Sequence, residues 1–167
     1  GFALACRPDL PPRLGALASL GQAQIDGLVL PQALLPARLP RSPRETLLAV
    51  MPLPPGPPIL TAQGRCRPWS ESELVHDLLR PVARVLAALE ARSVTHRGVR
   101  VENLFRTREG GPCILGDGFC LPPAFLQPAW TQPPALAQCV PEGRGNGQAA
   151  DDIFALGVAI VCVAAGR

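Results

Sequence analysis

The chain has 167 residues, 47% of them hydrophobic, and a net charge of +3. That is enough apolar material for one domain with a real core, and it excludes a largely disordered chain. All 16 basic residues are Arg, scattered without a basic stripe, and aromatics make up only 4%, so composition gives no support to a nucleic-acid partner. The six cysteines, Cys6, Cys66, Cys113, Cys120, Cys139 and Cys162, form no C-x-x-C and no paired His spacing, so no metal site is expected and they read as small buried apolar groups. No charged-then-apolar leader precedes a small-residue cleavage site, which points to a reducing, cytoplasmic setting.

In chain order, "FALAC" (Phe2 to Cys6) reads as a short strand and "RLGALASLG" (Arg13 to Gly21) as a short helix stopped by glycine. "LVLPQALL" and "TLLAVMPL" read as two further strands, the first interrupted by Pro31 and so edge-like or bent there. The 21 prolines gather between Pro8 and Pro68 and between Pro112 and Pro141, leaving two stretches free for helix. In the first, Ser70 and Glu73 have capping-box spacing, and Leu74, Leu78, Val82, Val85, Leu86 and Leu89 recur at helical intervals. Pro81 lies within that pattern and is expected to bend the helix or split it in two. Two very short strands follow, Asn103 to Arg106 and Cys113 to Leu115, with a turn at Gly110-Gly111. A proline-rich, irregular loop then runs from Cys120 to Gln148. The second helix is expected to start at Asp151 or Asp152 as N-cap and to run to Ala165, with Gly166 as its stop. Its apolar run, Ile153 to Gly166, falls short of the about 20 residues needed to span a bilayer, so it reads as a core helix with no membrane insertion.

Four motifs in this order resemble those of protein kinases, in particular the bacterial-type serine/threonine enzymes. "HRGVRVENLF" (96–105) is similar to the catalytic loop, and "LGDGF", 14 residues after Asn103, places Asp117 at the metal-binding Asp of the DFG motif. "VPE" (Val140 to Glu142) resembles the APE that closes the activation segment, and "DIFALGVAIVCVAAGR" resembles helix F. The resemblance implies an α+β, truncated kinase-like fold. A reduced, strand-rich N-lobe would occupy 1–60 and a partial helical C-lobe 61–167.

The same resemblance defines what has been lost. Phosphoryl transfer uses a catalytic-loop Asp to orient the hydroxyl, a nearby Lys on the phosphoryl group, and an Asn with the DFG Asp to hold magnesium. Gly98 and Arg100 occupy the first two positions, while Asn103 and Asp117 keep the last two. Glycine can orient nothing, and Arg keeps the charge without the compact ammonium. "FALA" places Ala5 where the phosphate-binding Lys belongs, no Glu lies in "RLGALASLG" to pair with one, and no G-x-G-x-x-G is present. Asn103 and Asp117-Gly118 are also natural turn residues. Between Asp117 and Glu142 the only hydroxyl residue is Thr131, so a loop switched by phosphate is not expected.

The reading implied is a pseudokinase, not an enzyme, without cofactor or metal. His96, Arg97, Glu142 and Asp152 are retained for structure, Asp152 by accepting hydrogen bonds from the His-Arg turn. Helix F, apolar on all faces, is expected to be partly uncovered and to meet a protein partner or a second copy of the chain. The alternative is a nucleotide-responsive module or atypical kinase in which Asn103 and Asp117 still hold a metal-nucleotide.

Overall fold

The computed structural model describes residues 2–6, 25–38, 45–61, 63–106, 111–118 and 147–166. The fold is α+β. Strands β1 (Phe2–Cys6), β2 (Ala33–Arg38) and β3 (Glu45–Met51) form an antiparallel sheet in the order β1-β3-β2. A long helix, α1, a short 3-10 turn, a two-stranded hairpin and a second helix, α2, are the other regular elements among the described residues. The expected helix at 13–21 lies outside the described residues.

β2 starts two residues beyond Pro31 rather than running through it, and it contains Pro36. Pro31 lies outside the strand, and Pro36 stands in an edge strand, where proline is tolerated. β3 lies between the other two strands and buries Ala49 and Met51 completely.

α1 comprises an α-helical turn (Glu71–Glu73), a π-helical stretch (Leu74–Leu79) and an α-helical segment (Arg80–Glu90). Its start follows from the capping box: Glu73 N donates to Ser70 Oγ at 3.4 Å, and Ser70 N donates to Glu73 Oε2 at 3.0 Å. Pro81 does not split the helix. Proline offers no N–H to the preceding turn, and the ladder just ahead of it widens by one residue, with Arg80 N donating to Val75 O. Leu78, Val82, Val85, Leu86 and Leu89 all face inward. Each such side chain contributes about 1.5–3 kcal/mol by leaving water.

The hairpin pairs β4 (Leu104–Arg106) with β5 (Cys113–Leu115), Leu104 opposite Leu115. Neither of its edges is left bare. On one side Leu115 N donates to Gly27 O at 2.8 Å and Val29 N to Leu115 O at 2.9 Å; on the other Ile59 N donates to Leu104 O and Arg106 N to Pro57 O, both at 3.0 Å. Gly27, at φ +83°, makes the turn that brings 27–29 alongside.

Arg106 fastens this hairpin to α1. Its guanidinium lies 4.2 Å from the centre of the buried Trp69 ring and donates to Asp77 Oδ2 at 2.8 Å. The arrangement combines a cation–π contact with an ion pair at a largely buried Arg. Trp69, Leu78, Met51, Leu104, Leu115, Leu156 and Val163 share one continuous core.

α2 (Ala149–Ala164) begins earlier than its aspartates suggest, with Gln148 as N-cap. Asp151 lies within the first turn and accepts from Gly147 N at 2.8 Å and Gln148 N at 2.7 Å. Asp152 is turned inward and buried. The helix ends before Gly166, at φ +73°, the residue expected to stop it. Among the described residues no helix is long and apolar enough to cross a membrane.

The capping carboxylate yields a pH prediction. The Arg67 guanidinium, with the backbone and hydroxyl of Ser70, lowers the Glu73 pKa from 4.5 to about 2. A carboxylate depressed in this way stabilises the folded chain above its unfolded pKa and loses that effect as pH falls through the folded one. The stability difference between the native chain and Glu73→Gln, measured by urea unfolding, should be full above pH 5 and should shrink steadily towards pH 2.

Candidate functional site

Residues 96–103 sit where three elements meet: the loop leaving α1, the exit of β5, and the first turn of α2. The buried Asp152 carboxylate reaches from α2 into the loop, its Oδ2 accepting from His96 N at 2.6 Å and its Oδ1 from Arg97 N at 2.8 Å. Arg97 adopts φ +69°, a left-handed conformation that aims two successive N–H groups at one acceptor. An ionised carboxylate taken out of water is stable only with such donors. This is why Asp152 does not cap its own helix.

His96 is fully buried and connects the loop to the strand exit. Gly98 N donates to Nδ1 at 3.2 Å, so Nδ1 carries a lone pair, and Nε2 holds the proton and donates it to Gly116 O at 2.9 Å. The ring is therefore the neutral Nε2–H tautomer, with both nitrogens engaged by backbone.

Asn103 stands in a short 3-10 turn (Val101–Asn103) ahead of β4. Its amide Nδ2 donates to Gly98 O at 2.9 Å and to Asp117 O at 2.7 Å. Both amide hydrogens are thus spent on holding the loop against the chain leaving β5. Its Oδ1 packs against Gly116, where a Cβ would overlap it. Gly118 fits equally closely under the His96 ring, and a Cβ there would also meet the His96 backbone oxygen.

Two arginines complete the electrostatics. Burial lowers the pKa of Arg97, opposed by the Asp152 charge, and its side chain lies over Gly147, where a Cβ would come within 2.7 Å of Nε. Gly147 has φ +82°, so glycine is required there for conformation as well as for space. Burial lowers the pKa of Arg100 as well, opposed by Glu102 and Asp117. The Asp117 carboxylate thus stands in the favourable field of a cation supplied by its own chain.

The structure brings His96, Arg97, Gly98, Arg100, Asn103, Asp117 and Asp152 into this one region. Ala5 lies in β1 opposite Leu48 of β3. Glu142 lies outside the described residues. Sequence reasoning missed the tight glycines, Gly116, Gly118 and Gly147, and the Arg106–Asp77–Trp69 fastening. Three glycines in "GDG" and "GNG" were the available signal for the first. The second joins residues far apart in sequence and gave no local signal. Among the described residues no group of three or more His, Cys, Asp or Glu side chains converges as a metal site.

No protein-family model matches this chain, and no curated protein matches it.

Replacing Asp152 tests this arrangement. Asp152→Ala leaves two N–H groups without their acceptor and should cost about 2–6 kcal/mol of unfolding free energy, at about 1–3 kcal/mol for each. Asp152→Asn keeps one acceptor oxygen and should cost less. Gly118→Ala forces the His96 ring to move and should cost about 1–3 kcal/mol. Urea unfolding measures all three, and changes within about 0.5 kcal/mol, the range of ordinary surface substitutions, would contradict the arrangement.

Proposed function

We propose that this chain is a kinase-like domain without catalytic activity, a pseudokinase that serves as a protein-interaction scaffold. The observation that carries the reading is the loop 96–103, in which the His96 ring, the Asn103 amide hydrogens and the inserted Asp152 carboxylate are spent on backbone. Asp152 accepts from the turn, His96 ties Gly98 to Gly116, and the Asn103 amide holds Gly98 and Asp117. At the position that would orient a nucleophile stands Gly98, which has no side chain to do so.

The order of elements supports the same reading: antiparallel strands, a long helix, the loop, a small hairpin, and a helix whose inward Asp holds the loop. In this reading Asn103 and Asp117, at the magnesium-holding positions of the resemblance, are vestigial. Asn103 Oδ1 lies against Gly116, and Asp117 shares its surroundings with the cation of Arg100. No phosphoryl-transfer step is therefore assigned to this chain.

The scaffold role rests on α2. Leu156, Ala159 and Val163 are buried, while Ile153, Phe154 and Val161 are 54%, 56% and 68% exposed on the opposite side. Gly157 lies between them with open space above it, and no charge interrupts the face from Ile153 to Gly166. A contiguous apolar surface of this kind serves association, with a protein partner or a second copy of the chain.

Two measurements on the purified chain test the proposal. Calorimetry with millimolar ATP and magnesium should give no binding heat, and light scattering should give a species larger than the monomer, reduced to the monomer by Phe154→Glu with Val161→Glu. Magnesium-dependent heat that disappears in Asp117→Ala would overturn the reading in favour of a nucleotide-responsive module. A monomeric native chain would remove self-association as the scaffold's mode.

A further inference from the structure

The segment that leads into α1 lies against the end of α2. Trp69 N donates to Val163 O at 3.4 Å, and a Cβ at Gly166 would come within 3.0 Å of both the Cys66 carbonyl oxygen and the Pro68 ring. These contacts place Cys66 beside the last turn of α2. Cys162 stands in that turn, next to Val163 and one helical turn ahead of Gly166. Both cysteines are half-buried and pack against the same core.

The two sulfurs also sense each other. Burial raises the Cys66 pKa and a thiolate at Cys162 raises it further, with the Cys66 backbone N–H and the Arg67 charge pulling the other way. Cys113 behaves differently: it is fully buried, its pKa is raised to about 12 mainly by burial, and Arg106 is the principal opposing charge. Cys113 has the character of a core filler. Cys66 and Cys162 remain partly accessible and neighbour one another, which a core role does not require.

We propose that Cys66 and Cys162 form a reversible disulfide that clamps the entry to α1 onto the end of α2. With a small-molecule disulfide such as oxidised glutathione as oxidant, the thiolate of one cysteine attacks an oxidant sulfur, forms a mixed disulfide and releases one glutathione thiolate. The second cysteine, once deprotonated, displaces the remaining glutathione and closes the Sγ–Sγ bond. In total the two thiols give up two protons and two electrons, and the oxidant disulfide becomes two thiols. The bond joins residues far apart in sequence, so it restrains the unfolded chain and raises the unfolding midpoint. It lies one residue from Val161, on the turn that also carries part of the exposed apolar face. The proposal stands on this geometry alone and does not depend on the kinase-like reading.

The test is to expose the full chain to oxidised glutathione, alkylate remaining thiols, digest without reduction and identify linked peptides by mass. A peptide pair joined through Cys66 and Cys162, two hydrogens lighter than its reduced parts and separated by dithiothreitol, is the expected result. The oxidised chain should unfold at a higher temperature than the reduced one, and that difference should vanish in Cys66→Ser and in Cys162→Ser. Recovery of both residues alkylated, or each carrying its own glutathione, or either linked to a different cysteine, would overturn the proposal.

Discussion

One buried carboxylate organises this structure. Asp152 is removed from water, and the cost of that removal is met by two backbone N–H groups at 2.6 and 2.8 Å and by the neighbouring charge of Arg97. A hydrogen bond to a charged group contributes about 1.5–3 kcal/mol, a large share of the stability of a domain of this size. The requirement is mutual. The carboxylate needs the turn, and the turn, with Arg97 at φ +69°, needs the carboxylate.

From that contact the constraints spread to each neighbour. With the backbone of His96 fixed, its ring reaches Gly98 and Gly116, which sets the distance between the loop and the end of β5. Asn103 repeats the connection with Gly98 and Asp117, and the surrounding glycines let the three chain segments approach more closely than any side chain would allow. On the far side of β4, Arg106 ties the hairpin to α1 through Asp77 and Trp69. The apolar core supplies most of the free energy, and these polar contacts select one arrangement of the elements that bury it.

Much of this was legible locally. The capping box at Ser70, the helical spacing from Leu74 to Leu89 and the strand at Phe2–Cys6 depend on near neighbours and stand where the sequence placed them, while the first hairpin strand begins at Leu104 rather than Asn103, which lies in the 3-10 turn ahead of it. The departures arise where distant residues decide. α2 starts at Gln148 because Asp152, a good N-cap by type, has its carboxylate committed to a loop 56 residues earlier. β2 moves past Pro31, and Pro81 is absorbed by a widened turn that spacing alone does not encode. At the candidate site the residue types and their order were visible. Their use was not: that Asn103 spends its amide on two carbonyls depends on where β5 ends.

The functional reading follows from this division of labour. The loop's contacts with Asp152, Gly116 and Asp117 give it a structural role in the fold, and the proposed pseudokinase reading rests on that role. The direct measurement is hydrogen exchange at the amides of His96 and Arg97, the two donors to Asp152. If that carboxylate is the constraint on which the fold depends, both amides exchange only through global unfolding, as slowly as those of Val82 and Leu86 in the centre of α1. Exchange at the rate of an exposed loop would show that the turn opens independently of the fold and would contradict the account.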